Sequence, residues 1–491
     1  MRAFGRRRTL AAGSAFIAAG VLAALALEQP LLLALPLGLV GLALWLVDYR
    51  PFAWLLWAAT PLSLEVPLGD ALSTDLPTEP LMLAGTAALA GWFVLRRRSV
   101  PWARFRHPIA TVLGLHLLWL LVATGFSVDL AVSAKWMAAK LWYVGAFFGL
   151  TLLLVRRPEM RGGDFRTLFW LLFWPTAFTV VWTLARHAQM NFGFAEVNLS
   201  MEPFYRNHVN YAVFVALVTP LLWLASGWYR PWTWPRMVLQ VAKPVFLAAV
   251  YFSYTRSAWI SLVVGLAAWW LMKRDLLRAG ALAALVALLG TCAWLLDNNR
   301  YLDYAPDFSK TIYHDDFADH MAATASLEDV SSAERIYRWV AGWYMFLDKP
   351  LTGFGPGNFY PHYQHYTVSS FYTYISRNEE RSTVHNYYLL TLLETGLAGT
   401  LLFFTLVFTA VFTAQRAYAR SRDPDLRRFL LAVTVSFVTI LVNLFFSDLV
   451  EADKIGTLFY ALLALILVAD RAVARETAGA DVRPPGPNLP A

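Results

Sequence analysis

Cysteine is almost absent from this chain, and charge is scarce. The lone Cys292 excludes an intrachain disulfide and a thiolate metal cluster; lying inside an apolar run, it reads as a small buried hydrophobe. Asp, Glu, Lys and Arg supply 15% of the 491 residues and hydrophobic residues 58%, with a mean hydropathy of +0.49. That balance excludes a string of soluble domains, whose composition draws on about a quarter charged residues. A Gly-x-x-x-x-Gly-Lys-Ser/Thr phosphate loop is missing, which argues against direct use of nucleoside triphosphate energy. The net charge of +8 comes from short basic clusters between apolar runs rather than from one basic face, so it reports membrane topology and not nucleic-acid binding.

What the chain has in abundance is apolar runs close to the ~20 residues that cross a hydrocarbon core as helix. They lie near residues 9–27, 31–47, 52–68, 81–95, 109–124, 134–155, 168–186, 208–226, 238–254, 257–272, 279–296, 386–414, 429–449 and 454–470. Some are short or separated by one proline, such as Pro30 and Pro51, so two pairs read as bent helices or hairpins. The sequence therefore predicts an all-α polytopic membrane protein of roughly 12 to 14 transmembrane helices. Lys and Arg gather in alternate loops: Arg6, Arg7 and Arg8; Arg96 to Arg98 with Arg104 and Arg106; Arg156, Arg157, Arg161 and Arg166; Lys273, Arg274 and Arg278; Arg416, Arg420, Arg422, Arg427 and Arg428. By the positive-inside bias these loops and both termini are cytoplasmic. The opposite loops carry acids, with Glu65, Asp70, Asp75 and Glu79 in one and Asp448, Glu451 and Asp453 in another.

Four regions follow. Residues 1–296 form an N-terminal transmembrane bundle, 297–384 a large outward loop subdomain of helical pieces, and 385–475 the C-terminal transmembrane helices. Residues 476–491, rich in Pro, Gly and Ala, form a disordered tail that builds no core. The first run starts like a signal peptide, but Leu27-Glu28-Gln29-Pro30 offers no small-residue cleavage site, so the run is expected to remain as a helix.

Three segments bring cationic or titratable side chains to the outward mouth. Arg206 lies in Phe204-Tyr-Arg-Asn-His-Val-Asn210, Arg256 in Ser253-Tyr-Thr-Arg-Ser257 and His385 in Ser382-Thr-Val-His-Asn-Tyr-Tyr388. An embedded charge costs ~2.5–3.5 kcal/mol at the bilayer centre and less near the headgroups, so such residues are usually paired or functional. An isolated outer Arg also reads as a side chain snorkelling to lipid phosphates; that reading is weaker for Arg256, flanked by Thr255 and Ser257 inside a long apolar stretch. A guanidinium suits a phosphate ester, because its planar fork donates two parallel hydrogen bonds and stays charged at any relevant pH. A neutral imidazole beside such cations accepts a proton from an attacking hydroxyl, and the cations keep it neutral. Alone, an interfacial His reads as a structural hydrogen-bonding residue. No Asp-x-Asp pair stands in an outward metal-ligand setting, which leaves arginine to neutralise a phosphate leaving group. His314-Asp-Asp-Phe-Ala-Asp-His320 is too loosely spaced for a metal set and reads as a solvated loop, and Gly353-Phe-Gly-Pro-Gly357 reads as a turn. Trp and Tyr, 21 of each, are mostly interfacial anchors, while Tyr360, Tyr363, Tyr366 and Tyr372 are candidates to stack on sugars.

Taken in order, these pieces resemble the O-antigen ligase family. The resemblance rests on Arg206 with Asn207 and Asn210, Thr255-Arg-Ser257, Glu334-Arg-Ile-Tyr-Arg-Trp339, Pro350-Leu-Thr-Gly-Phe-Gly-Pro-Gly-Asn-Phe359, His385-Asn-Tyr-Tyr-Leu-Leu390 and Glu394-Thr-Gly-Leu-Ala-Gly399, across residues 200–400. It implies a GT-C-like, inverting glycosyltransferase of lipopolysaccharide biosynthesis that works without metal, cofactor or nucleoside triphosphate. The enzyme would lie in the bacterial inner membrane with its site facing the periplasm. Its donor would be a glycan on undecaprenyl pyrophosphate and its acceptor lipid A-core, with membrane lipids as the other partners and no nucleic acid. By matched motif, Arg206 and Arg256 would bind the donor pyrophosphate, His385 would act as base on the acceptor hydroxyl, and Arg335 would be a further site residue. The apolar runs outnumber the family's usual spans, which points to overcounted bent segments. An O-antigen polymerase or, less well, a protein O-oligosaccharyltransferase fits the same motifs; a single His385 beside a loop subdomain favours the ligase. A transporter fits poorly, because the charges sit at one face and no inverted repeat is visible.

In a Cys292→Ser background, single cysteines at positions 206, 256 and 385 should all react with a membrane-impermeant maleimide added outside the membrane. Protection of any one of them from that side would break up the mouth.

Overall fold

The computed structural model describes residues 48–69, 72–95, 102–155, 164–304, 330–371 and 383–481, with single positions at 19, 22 and 98. The apolar runs near 9–27 and 31–47, Asp70, the basic residues Arg6 to Arg8, Arg96, Arg97, Arg156, Arg157 and Arg161, the His314 to His320 segment, Tyr372 and the tail beyond 481 lie outside the described residues.

Thirteen helices organise the described residues: α1 Tyr49–Ala59, α2 Thr78–Leu95, α3 Pro108–Gly125, α4 Leu130–Leu154, α5 Asp164–Gln189, α6 His208–Ser226, α7 Trp234–Phe252, α8 Arg256–Lys273, α9 Leu277–Leu296, α10 Val330–Asp348, α11 Tyr387–Arg420, α12 Pro424–Asn443 and α13 Asp453–Asp481. Several begin where a polar side chain takes a free first-turn amide. His107 accepts from Ile109 N (3.2 Å), Asp129 from Ala131 N (2.9 Å), Asn207 from Asn210 N (2.9 Å) and Asn386 from Leu389 N (3.1 Å). Eight of the helices, α2 to α6, α9, α11 and α13, are long and apolar enough to cross a membrane. The mostly helical chain therefore has the architecture of an all-α polytopic membrane protein.

The core runs along α6 and α13, whose side chains from Tyr211 to Val218 and from Ile455 to Leu467 are nearly all buried. Outward-facing Leu118, Val263, Leu266 and Val286 remain exposed, as suits a surface that meets hydrocarbon. Cys292 is exposed too, which corrects the expectation that it is buried. It sits on α9, where only Leu277 is covered; in a membrane helix, apolar character does not require protein neighbours.

Two apolar runs are not single spans. The run near 52–68 stops as α1 at Ala59, passes through a 3-10 turn at Thr60–Leu62, and continues as strand β1 Leu64–Gly69. β1 pairs antiparallel with β2 Leu72–Leu76, Leu64 opposite Leu76 and Val66 opposite Thr74. Pro61 and Pro67 each remove a backbone donor, which weakens a helix through this stretch.

The second is the run near 386–414. Gly396, at φ +67° and ψ −174°, breaks α11 into arms 387–395 and 397–420. The ring of Tyr387 lies 5.2 Å from that of Phe403, and Tyr388 stacks on Phe404 at 5.3 Å. In a straight helix residues sixteen apart stand about 24 Å from each other, so the short arm folds back along the long one. The loop before it is stitched into the break: Phe354 N donates to Leu393 O (2.9 Å), Gly355 N to Glu394 O (2.8 Å) and Leu397 N to Pro350 O (2.8 Å). Gly353, Gly355 and Gly357 all have positive φ and form the turn of this loop. Helix α10 also packs against α11. At the far end, α13 continues to Asp481, beyond the expected boundary at residue 475.

A Cβ at Gly396 would overlap the Leu351 carbonyl, and its φ is one that other residues rarely adopt. Gly396→Ala should cost about 1–3 kcal/mol or more, seen as a lower Tm and folded yield of the detergent-solubilised protein. A wild-type Tm would show that the fold-back at this position is wrong.

Candidate active site

The N-termini of α6, α8, the short arm of α11 and α13 meet the C-terminus of α12 at one end of the bundle. Tyr387 N donates to Leu444 O (2.8 Å), and the Thr255 hydroxyl donates to His208 O (3.2 Å). Lys454 Nζ donates to Pro61 O (3.2 Å), Ser63 O (2.9 Å) and Phe204 O. Converging helix N-termini carry partial positive charge, which favours an anion at this end.

His385 precedes the short arm in a left-handed conformation, φ +51°. A non-glycine residue holds this only when its neighbours fix it. Helix α10 supplies them: Arg338 Nη1 donates to Thr383 O (3.1 Å) and Trp339 Nε1 to Val384 O (2.9 Å). Arg338 is itself fully buried and paired with Glu334, one helical turn earlier. The imidazole is partly exposed. Burial, together with the Arg335 and Arg338 guanidiniums, pushes its pKa down to about 3. The ring is therefore neutral in the protein across ordinary pH.

Arg206 is exposed, just before α6, and Arg256 is partly exposed as the first residue of α8. Asp448, in the connection between α12 and α13, accepts a hydrogen bond from the Thr383 side chain and faces the Arg206 charge. Burial pushes its carboxyl up, and Thr383 and Arg206 oppose that shift. Asp448 is thus bonded to the His385 loop and feels the Arg206 charge. Arg256 joins the same end through its neighbour Thr255, bonded two residues beyond Arg206. Arg335 acts on His385 through its charge.

Sequence reading missed Arg338, Trp339 and Asp448. Arg338 stands three residues after Arg335, the spacing of one helix face, and that signal was present. Asp448 read only as one of several outward acids, because its link to residue 206 exists in space alone. The tyrosines need one correction. Tyr363 is buried and stacked on Phe359 at 4.9 Å, so it cannot meet a sugar face. Tyr366 is tied to Asp348 by a 2.7 Å hydrogen bond, and Tyr360 is partly exposed. Among the described residues no group of three or more His, Cys, Asp or Glu is arranged to hold a metal ion.

These features define a polytopic membrane protein with a cationic, imidazole-bearing mouth at one end of its helical bundle. Residues 244–404 match the family model described as O-antigen ligase. That match supports a glycosyl-transfer function of the ligase and polymerase type in lipopolysaccharide biosynthesis. The matched segment holds Arg256, Arg335 and His385, while Arg206 precedes it. No curated protein sequence matches the chain.

Replacing Arg335 by Gln removes one of the cations that disfavour imidazolium, so the His385 pKa should rise from about 3 towards its ordinary 6.5. Because the native protein holds this ring neutral, its folding stability falls with acid from about pH 6.5 down through about 3; Arg335→Gln narrows that window from below. Histidine carbon NMR titration, with His385→Asn to assign the signal, reads the shift. An unmoved pKa would mean that Arg335 does not act on the ring.

Proposed function

We propose that the protein is an O-antigen ligase with a GT-C-like bundle, set in the inner membrane with this mouth facing the periplasm. It transfers the glycan from undecaprenyl pyrophosphate to lipid A-core with inversion. The observation that carries this reading is the meeting of the Arg206, Arg256 and His385 segments at one end of the bundle, where the Thr255 hydroxyl donates to His208 O and Tyr387 N to Leu444 O.

Arg206 and Arg256 bind the diphosphate of the donor, aided by the N-terminal ends of α6 and α8. The acceptor hydroxyl oxygen attacks the anomeric carbon from the face opposite the diphosphate. A new carbon–oxygen bond forms as the bond to the diphosphate breaks, and the electron pair leaves on the diphosphate oxygen. The hydroxyl proton passes to the neutral imidazole of His385. Without donor that imidazole is a weak base, because burial and the charges of Arg335 and Arg338 disfavour its protonated form. A bound diphosphate brings negative charge that offsets those guanidiniums and raises the imidazole pKa, so the base is strengthened once the donor is seated. Arginines, rather than a metal ion, take up the charge of the leaving group. Residues 330–371, which precede the His385 loop in the chain, supply the surface that admits the acceptor.

With purified protein, a lipid-diphosphate glycan and lipid A-core, His385→Ala should slow transfer about 10²- to 10⁴-fold with donor affinity little changed. Arg206→Ala should weaken donor binding itself. Undiminished transfer by His385→Ala would remove the proposed base, and a product consisting only of longer lipid-linked chains would make the enzyme a polymerase.

A further inference from the structure

The connection between α12 and α13 touches the candidate site three times. The Leu444 carbonyl holds Tyr387 N, Asp448 holds Thr383 and faces Arg206, and Glu451 pairs with Lys140 at 2.5 Å. Lys140 lies inside the apolar run of α4 and is 6% exposed, a costly place for an ammonium unless it is paired. Its Nζ is also 3.5 Å from the Tyr387 hydroxyl and 5.7 Å from that ring's centroid. Tyr387 is the second residue after His385 and opens the short arm of α11.

Lys140, Glu451 and Tyr387 share the wall of a cavity of about 30 Å³ with His116, Thr391 and Glu394. It has room for roughly one or two water molecules. His116 is buried there, with its Nδ1 lacking a hydrogen-bond partner among the described residues, so a mostly apolar chamber offers a few polar groups beside the ammonium. Stability alone does not account for the pair, since well-packed apolar residues would hold α4 to the connector at least as well. What an ion pair adds is a single defined register between the elements it joins.

We propose that Lys140 and Glu451 are positioning residues: they lock the 444–451 connector and the start of the short arm against α4, so that the His385 loop keeps one geometry. This inference rests on the glycan-transfer reading of the site.

Two double variants test it, Lys140→Met with Glu451→Met and Lys140→Gln with Glu451→Gln; neither leaves a buried charge without its partner. Folded protein is matched by size-exclusion profile and thermal unfolding, and transfer is measured beside wild type and His385→Ala. In whichever variant folds, kcat should fall about tenfold or more with the donor KM little changed, as expected when reacting groups are displaced. Wild-type kcat per folded molecule, whatever happens to KM, would overturn the proposal. So would failure of both variants to fold, because the pair would then be a folding determinant. If His385→Ala also transfers at the wild-type rate, the reading of the site has failed; an inactive His385→Ala beside a fully active double variant rejects only the positioning pair.

Discussion

The rest of the structure depends on a chain that reverses inside an apolar bundle without leaving its backbone polar groups bare. Unpaired amides and carbonyls are expensive where water is excluded. At Gly396 the break exposes the carbonyls of Leu393 and Glu394 and the amide of Leu397, and the glycine-rich loop covers all three. Gly353, Gly355 and Gly357 lie so close to Glu394, Ser127 and Trp136 that no side chain fits at those positions. Reversal at this point carries His385 back along the long arm, to the level of Phe403, where it meets α10 and the end of α12.

Charge is the second constraint. Cations gathered at one end of a bundle repel one another and need anions or carbonyls nearby. Lys454 satisfies this with three carbonyls, Arg338 with Glu334 and a carbonyl, and Lys140 with Glu451. Asp448 feels the Arg206 charge. A substrate diphosphate would complete the balance, which is why the same arrangement suits an anionic donor and a neutral imidazole together.

Much of the fold was legible because bilayer physics writes itself into the sequence as apolar runs with polar caps. Asn207 and Asn386, read only as neighbours of Arg206 and His385, turn out to be the caps that start α6 and the short arm. The runs near 52–68 and 386–414 were misread as single spans, since hydropathy averages over a proline or a glycine that reverses the chain. Tyr363 and Cys292 changed places in burial for a related reason: hydropathy does not say whether a residue meets protein or lipid.

Residue type alone determined that this chain lives in a membrane and that Arg206, Arg256 and His385 are candidate phosphate- and proton-handling groups, whereas Arg335 entered only through its motif. Only the tertiary structure decided what holds them. The bonds of Asp448, Arg338, Trp339 and Glu451 join residues far apart in the chain, and no periodicity records such a pairing. Local chemistry is fixed by side-chain identity, whereas a shared geometry exists only after the helices have packed.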